Sequence, residues 1–223
     1  MGEDDQERQA GVWHWVHLAR RGRAFPDRHK GCSPDHEGEG EWLTDDVAPM
    51  LWEGSVTLGR MLQVEADHAA IMMDLLRPAG RLFWAYDIRR PAPATDPAGL
   101  ILGSATPVIH ALPAGNREIA LSGLPAGYVL SRGDYIGFAY AGGRRALHRI
   151  AAAQVVASTA GVTPAFELST LIRPGATVAS PVSLIRAAIP VMREPGSVVT
   201  GETRARITTG FTFRFKQTLA VIA

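Results

Sequence analysis

From Met50 onward the apolar positions fall in short runs, each closed by Gly, Pro, Asn or Asp, which is the punctuation of tightly turned β-structure. Leu51–Leu58 reads as a strand, and Leu82–Ile88, with Phe83, Trp84 and Tyr86, as an aromatic-rich one. Strand-like runs follow at 107–112, 117–122, 134–140, 145–150, 153–158 and 165–172, and Val182–Ile189 and Ala205–Ile222 complete the set. In the last run Phe211, Phe213 and Phe215 alternate with Thr212, Arg214 and Lys216, the period of a half-buried strand. One stretch breaks the pattern. Ala66–Leu76 carries Ala69, Met72, Met73 and Leu76 at helical spacing, with Asp67 near its start and Pro78 and Gly80 beyond its end. Arg89–Thr106 holds Pro91, Pro93, Pro97 and Gly99 and reads as an extended surface loop.

These elements predict a mainly β fold with a nested organisation. The helix-bearing segment 49–111 has too few strands to close a sheet alone, and 179–223 supplies the missing ones. The stretch between them, 112–178, is expected as an inserted small β-barrel. Residues 1–48 read as an irregular leader punctuated by Gly and Pro, with Gln6–Arg21 expected as a short helix bearing Trp13, Val16 and Leu18.

Charge sharpens that division. The leader holds 11 acidic and 6 basic side chains, a balance of −5, and residues 49–223 hold 11 and 17, a balance of +6. Such a mild excess falls short of a dedicated nucleic-acid binder. No apolar run approaches the roughly 20 residues of a membrane span. The acidic start is the reverse of a secretory signal, so the chain is expected in the cytoplasm. A single cysteine, Cys32, excludes an intrachain disulfide framework.

Candidate chemistry is sparse. His29, Cys32, Asp35 and His36 offer zinc donors, but no second ligand pair stands elsewhere, so a polar loop is the expectation. Cys32 lacks a shielded pocket for nucleophilic work. Ser131, Asp134 and His148 supply the residue types of a triad without a nucleophile elbow; Asp134 is expected to fix a turn and His148 to pack within a strand. Glu53, Asp74, Asp87, Asp96 and Glu118 are scattered, and Gly142-Gly143-Arg144-Arg145 lacks the Lys-Ser/Thr and helix of a phosphate loop, which leaves a hairpin turn. Tyr135, Phe138 and Tyr140, with Arg144, Arg145 and Arg149, meet the residue requirement of a barrel that binds single-stranded nucleic acid or carbohydrate, although alternation sends part of this set to the core. No catalytic residue, metal ligand or cofactor site is therefore assigned.

Several anchors occur in a distinctive order. They are Trp52 with Val56 and Leu58, the helix 66–76, Phe83 and the loop Pro91–Gly99. Gly133-Asp134-Tyr135, Ala146-Leu147-His148-Arg149, Leu171-Ile172-Arg173-Pro174-Gly175 and Gly210-Phe211-Thr212-Phe213 follow. Together they resemble the distal tail proteins, or closely related tail-tip (baseplate) components, of long-tailed bacteriophages and prophages. The resemblance runs from about Leu51 to Leu219 and leaves out the leader. It implies a β-sandwich or split-barrel ring domain with one flanking helix and an inserted OB-like barrel. It further implies a structural virion protein, a homohexameric ring assembled in the bacterial cytoplasm that joins the tail tube protein to hub, fibre or receptor-binding proteins. No membrane, no specific nucleic acid and no enzymatic activity are expected on that reading.

Overall fold

The computed structural model describes Val12–His14, Cys32–Asp35 and Leu43–Asp46 of the leader, and residues 51–221 except Ala79. All three leader segments are strands: Val12–His14 (β1), Cys32–Asp35 (β2) and Leu43–Asp46 (β3). β2 and β3 pair antiparallel, with Cys32 registered opposite Asp46 and Asp35 opposite Leu43. Val12–His14 is extended where a helix was expected, since a short isolated helix is marginal and Val and Trp favour a strand once a sheet edge is on offer. The rest of 6–21 lies outside the described residues.

The chain continues through Glu53–Thr57 (β4), Met61–Leu62 (β5), the helix Gln63–Leu75 (α1) and Leu82–Ala85 (β6). Next come Val108–Ala111 (β7), Glu118–Ser122 (β8), Val129–Ser131 (β9) and Tyr135–Tyr140 (β10). Arg144–Arg149 (β11), Gln154–Val156 (β12), Phe166–Glu167 (β13) and Val182–Ser183 (β14) follow. Ile189–Arg193 (β15), Glu202–Arg204 (β16), Ile207–Thr209 (β17) and Thr212–Gln217 (β18) end the series. The fold is mainly β, with several short antiparallel sheets, one helix among the described residues and no sheet that closes on itself.

The chain divides into two compact units, 1–83 with 191–218 and 84–190 with 219–223. The chain crosses between them inside β6, inside β15 and again after Thr218, so residues 84–111, 179–190 and 219–223, assigned to the outer domain from sequence, belong to the second unit.

In the first unit a five-stranded sheet runs β1-β6-β15-β18-β4. Along β18, Phe213, Phe215 and Gln217 are buried while Arg214 and Lys216 face water. Phe83 meets Phe213 and Phe215 edge to face, with ring centroids 6.2 and 5.8 Å apart, the geometry aromatic quadrupoles favour. The register places Gly54 opposite Phe215, where a Cβ would strike the ring; glycine is required there by packing. The Gln217 side-chain carbonyl accepts a hydrogen bond from the Trp52 N–H at 3.2 Å, and the Gln217 backbone N–H donates to the Trp52 carbonyl at 2.7 Å, locking the residue before β4 to the end of β18.

The run 205–222, expected as one strand, holds two. β16 and β17 form a hairpin across Ala205 and Arg206, whose φ angles of 48° and 66° are both left-handed. Val182–Ile189 is likewise divided, and β15 runs through Pro190. The helix starts at Gln63, earlier than expected, because two of its free N–H groups find partners there. The Leu62 N–H donates to the Glu65 carboxylate at 2.8 Å, and the Gln63 N–H to the Arg206 carbonyl at 3.0 Å.

The second unit has a continuous apolar core that includes Ile109, Ile119, Leu121, Leu130, Ile136 and Phe138. Its sheets are β11-β10-β14, β12-β9 and β13-β8-β7. Single bridges, Val108 to Pro181 and Ile150 to Leu168, join the two three-stranded sheets.

Candidate functional site

The strongest concentration of polar chemistry lies in the second unit, around β9–β11 and the loop 89–106. Asp134 follows Gly133, whose φ of 85° suits glycine, and is fully buried. Its Oδ2 accepts from the Ser131 N–H at 2.7 Å, its Oδ1 from the Ala94 N–H at 3.0 Å, and Arg90 Nε stands 3.4 Å from Oδ1. Asp134 fixes its own turn, as expected, and also fastens the proline-rich loop to the turn between β9 and β10. Arg90 adds a bond from Nη1 to the Arg132 carbonyl at 2.8 Å, and Thr95 one to the Val129 carbonyl.

Asp96 organises the other end of that loop. Its carboxylate accepts from the Ile101 and Leu102 N–H groups at 3.1 and 2.8 Å and from the Tyr128 hydroxyl at 3.3 Å. Burial opposes its ionisation, but the backbone donors and Tyr128 outweigh that, and its pKa lies below the ordinary value. Tyr128 is held protonated by burial and by the charges of Asp96 and Asp134. The product is a hydrogen-bonded loop whose tip exposes Leu100, 82% accessible, and Ile101, 59%.

A third cluster links Asp87, Arg89, Tyr135 and Arg149. Arg89 donates from its backbone N–H, Nε and Nη2 to Asp87 at 2.9–3.1 Å. The Tyr135 hydroxyl donates to Asp87 Oδ2 at 2.9 Å and accepts from Arg149 Nε at 2.9 Å. Burial, opposed by the Arg149 bond, raises the Tyr135 pKa to about 12, so the phenol stays protonated.

The candidate triad does not assemble. Asp134 serves the Ser131 backbone rather than its hydroxyl, and His148 Nδ1 bonds Thr170 Oγ1 at 2.7 Å. His148 is stacked on Phe138 at 5.4 Å, and burial, with help from Arg173, lowers its pKa to about 4; its Nε2 has no partner among the described residues. The carboxylates stay apart in role: Glu53 pairs with Lys216 at 3.1 Å, Asp74 lies in α1, and Glu118 is registered opposite Glu167. Cys32 and Asp35 lie in β2, whereas His29 and His36 are outside the described residues, among which no group of three potential metal ligands occurs.

Tyr135, Phe138 and Tyr140 are all buried, with Arg149 over the Tyr135 ring and Arg173 over Tyr140, so these three rings offer no open face for stacking a base or sugar. Gly142 and Gly143 form the expected turn, and Arg144 Nε donates to the Leu219 carbonyl at 3.2 Å while Arg145 lies over the Trp84 ring. Arg173-Pro174-Gly175 closes over the hairpin tip: Arg173 donates to the Tyr140 hydroxyl at 3.0 Å, and the Gly175 carbonyl accepts from the Ala141 N–H at 3.0 Å.

Sequence reasoning missed two features. One is the pair of acidic hubs, Asp87 and Asp96, whose signal was an aspartate at each end of a proline-rich loop. The other is the outer face of α1. Ala66, Ala69, Met73 and Leu76 are buried, yet Val64, Ile71 and Leu75, on the opposite side, are 64%, 56% and 47% exposed. No known protein-family model matches the chain, and comparison with curated proteins yields no match.

Proposed function

We propose that this chain is a structural subunit of a long-tailed bacteriophage tail tip. It forms a ring, homohexameric in the distal-tail manner, between the tail tube and the hub or receptor-binding proteins. The observation that carries this reading is the helix with two apolar faces. One face is spent on the first unit's core; Val64, Ile71 and Leu75 would stay in water in an isolated chain, whereas a neighbouring copy buries them. The Leu100–Ile101 tip is a second apolar anchor of the same kind, on a loop whose ordering has already been met by Asp96.

The fold supports the reading in its finer form. A five-stranded sheet flanked by one helix suits a sandwich or split-barrel ring domain. In the second unit, bridges at both ends of the paired three-stranded sheets favour a small OB-like barrel. The polar clusters act as braces for loops, which suits a scaffold.

Native mass measurement with negative-stain imaging tests the proposal. A ring is expected, and Ile71→Glu with Leu75→Glu is expected to return it to monomers of unchanged circular dichroism. A monomer at every concentration, with or without tail tube protein, overturns it. Salt-sensitive binding of single-stranded nucleic acid by that monomer would establish the barrel-module alternative instead.

A further inference from the structure

The first unit carries two surfaces without a partner among the described residues, and they lie on different sides of α1. One is a cavity of about 620 Å³ between the helix and the segment 192–200, within the usual range of ligand pockets, about 300–1,000 Å³. Met73, Leu76 and Val198 give it apolar walls, and Arg77, Arg81 and Arg193 bring three guanidinium groups to a single carboxylate, Asp74. Arg77 and Arg81 are exposed, so the cavity opens to water. Arg193 comes from deeper. Ile189 and Val191 are fully buried, and alternation along β15 puts Arg193 on their face. Its Nε is buried and has no hydrogen-bond partner among the described residues. Other arginines of the molecule brace carboxylates: Arg89 with Asp87, Arg90 with Asp134, Arg214 with Glu194. A buried donor left unmade is costly, so the cavity calls for an occupant that carries a carboxylate on an apolar body.

The other surface has that chemistry. Val64, Ile71 and Leu75 are exposed, and Asp67 is exposed beside them. At 3.6 residues per turn these four fall within about 80° of the helix circumference, roughly 130° round from Ala70 and Met73 of the cavity wall. Along its whole length α1 bears Glu65, Asp67 and Asp74 and neither Lys nor Arg. Packed two-fold on its own copy it would set acid against acid, and a phosphate backbone would be repelled by it. The acidic, apolar face and the arginine-lined, apolar cavity suit each other instead. We propose that the cavity lined by Arg77, Arg81 and Arg193 receives the outer face of α1 from a second copy of this chain. Asp67 answers the Arg193 guanidinium, and Ile71 and Leu75 pack on Met73, Leu76 and Val198. Each copy then offers one surface and uses the other, a head-to-tail contact of the kind that closes into a ring. The proposal rests on the ring reading above and names the contact that builds it.

Charge exchange, read by native mass, tests this. Arg77→Glu/Arg81→Glu sets an acidic cavity before an acidic helix, and Asp67→Arg/Asp74→Arg sets a basic helix before a basic cavity. Each variant alone is expected to stay monomeric where the parent assembles, with unchanged circular dichroism, since all four positions are exposed. An equimolar mixture is expected to reassemble with the two chains alternating, which an even-numbered ring accommodates. Arg193→Met keeps the bulk and removes the unmet donor. It is expected to raise the concentration needed for assembly about tenfold or more without lowering the melting temperature of the dilute monomer. Assembly of either reversed variant alone, or a mixture of folded variants that stays monomeric, overturns the contact and leaves the ring standing. Should a reversed variant misfold, undiminished assembly of Arg193→Met overturns it equally. A parent chain that is monomeric at every concentration, with or without tail tube protein, removes the ring and this contact together.

Discussion

The two units are held together by different chemistry. In the first, the buried polar residues among those described are Ser197, Thr208 and Gln217, all uncharged, and the core is built on Phe83, Phe211, Phe213 and Phe215. In the second, Asp87, Asp96, Asp134 and His148 are buried alongside the apolar cluster, each engaged by groups from a different stretch of chain. An aromatic core fails through lost volume, at any pH. A core braced by ionisable groups fails through lost partners, and its stability moves with pH.

The largest effects should separate the two. Phe213→Ala is expected to cost about 4 kcal/mol by opening a cavity beside Phe83. Asp134→Ala is expected to cost about 3 kcal/mol, leaving two backbone donors and the Arg90 charge without their acceptor. Exchange-detected mass spectrometry should find the first loss in β4 and β18 and the second in 89–106 and β9–β11. Uniform loss across both units in either variant would show that the chain unfolds as one block.

Acid sharpens the contrast at slightly smaller cost. Burial has lowered His148 from 6.5 to about 4, so protonation favours the unfolded chain. Its contribution is therefore whole above pH 6.5 and is lost as pH falls towards 4, by about 3 kcal/mol in all. Asp96 acts in the same direction at lower pH, since its lowered pKa adds stability that disappears once the carboxyl is protonated in the fold. Denaturant titrations should show the second unit weakening through this window while the first holds, and His148→Phe should flatten the slope between pH 6.5 and 4. A slope that survives the substitution would remove His148 as its source.

Gly54→Ala tests the first unit's packing on a finer scale. The added methyl meets the Phe215 ring, and a loss of about 2 kcal/mol without pH dependence is expected from thermal unfolding. This position also shows how much of the fold the sequence made legible. The Phe-x-Phe-x-Phe alternation announced β18 and its buried face, and Gly142-Gly143 announced the β10–β11 turn, because period and glycine are local signals. That Gly54 must lack a side chain depends on a residue far along the chain, which no window reveals. The same holds for the candidate sites. Asp134 after a glycine advertised its turn, but the fastening of Ala94 and Arg90 to it spans about forty residues of sequence. The outer face of α1 was hidden differently: a helix with apolar residues on two opposite faces has a weak period, so the buried stripe alone was readable.

The smallest effect concerns the least legible element. The two-residue connection of β16 and β17 places Ala205 and Arg206 at φ 48° and 66°, positions where Asn-Gly is the familiar pair and where a Cβ is a burden. Nothing in Ala-Arg signals a turn, which is why 205–222 reads as one strand. The consequence reaches the helix, because the Arg206 carbonyl accepts the Gln63 N–H, and Ile207 is registered opposite Leu62. An unremarked turn thus supplies part of the start of α1. Ala205→Asn with Arg206→Gly keeps that carbonyl and removes the left-handed strain, so a gain of about 0.5–1 kcal/mol is expected. Slower exchange at the first amides of α1 should accompany it. A gain without that slowing would separate the turn from the helix, and the early start at Gln63 would then rest on Glu65 alone.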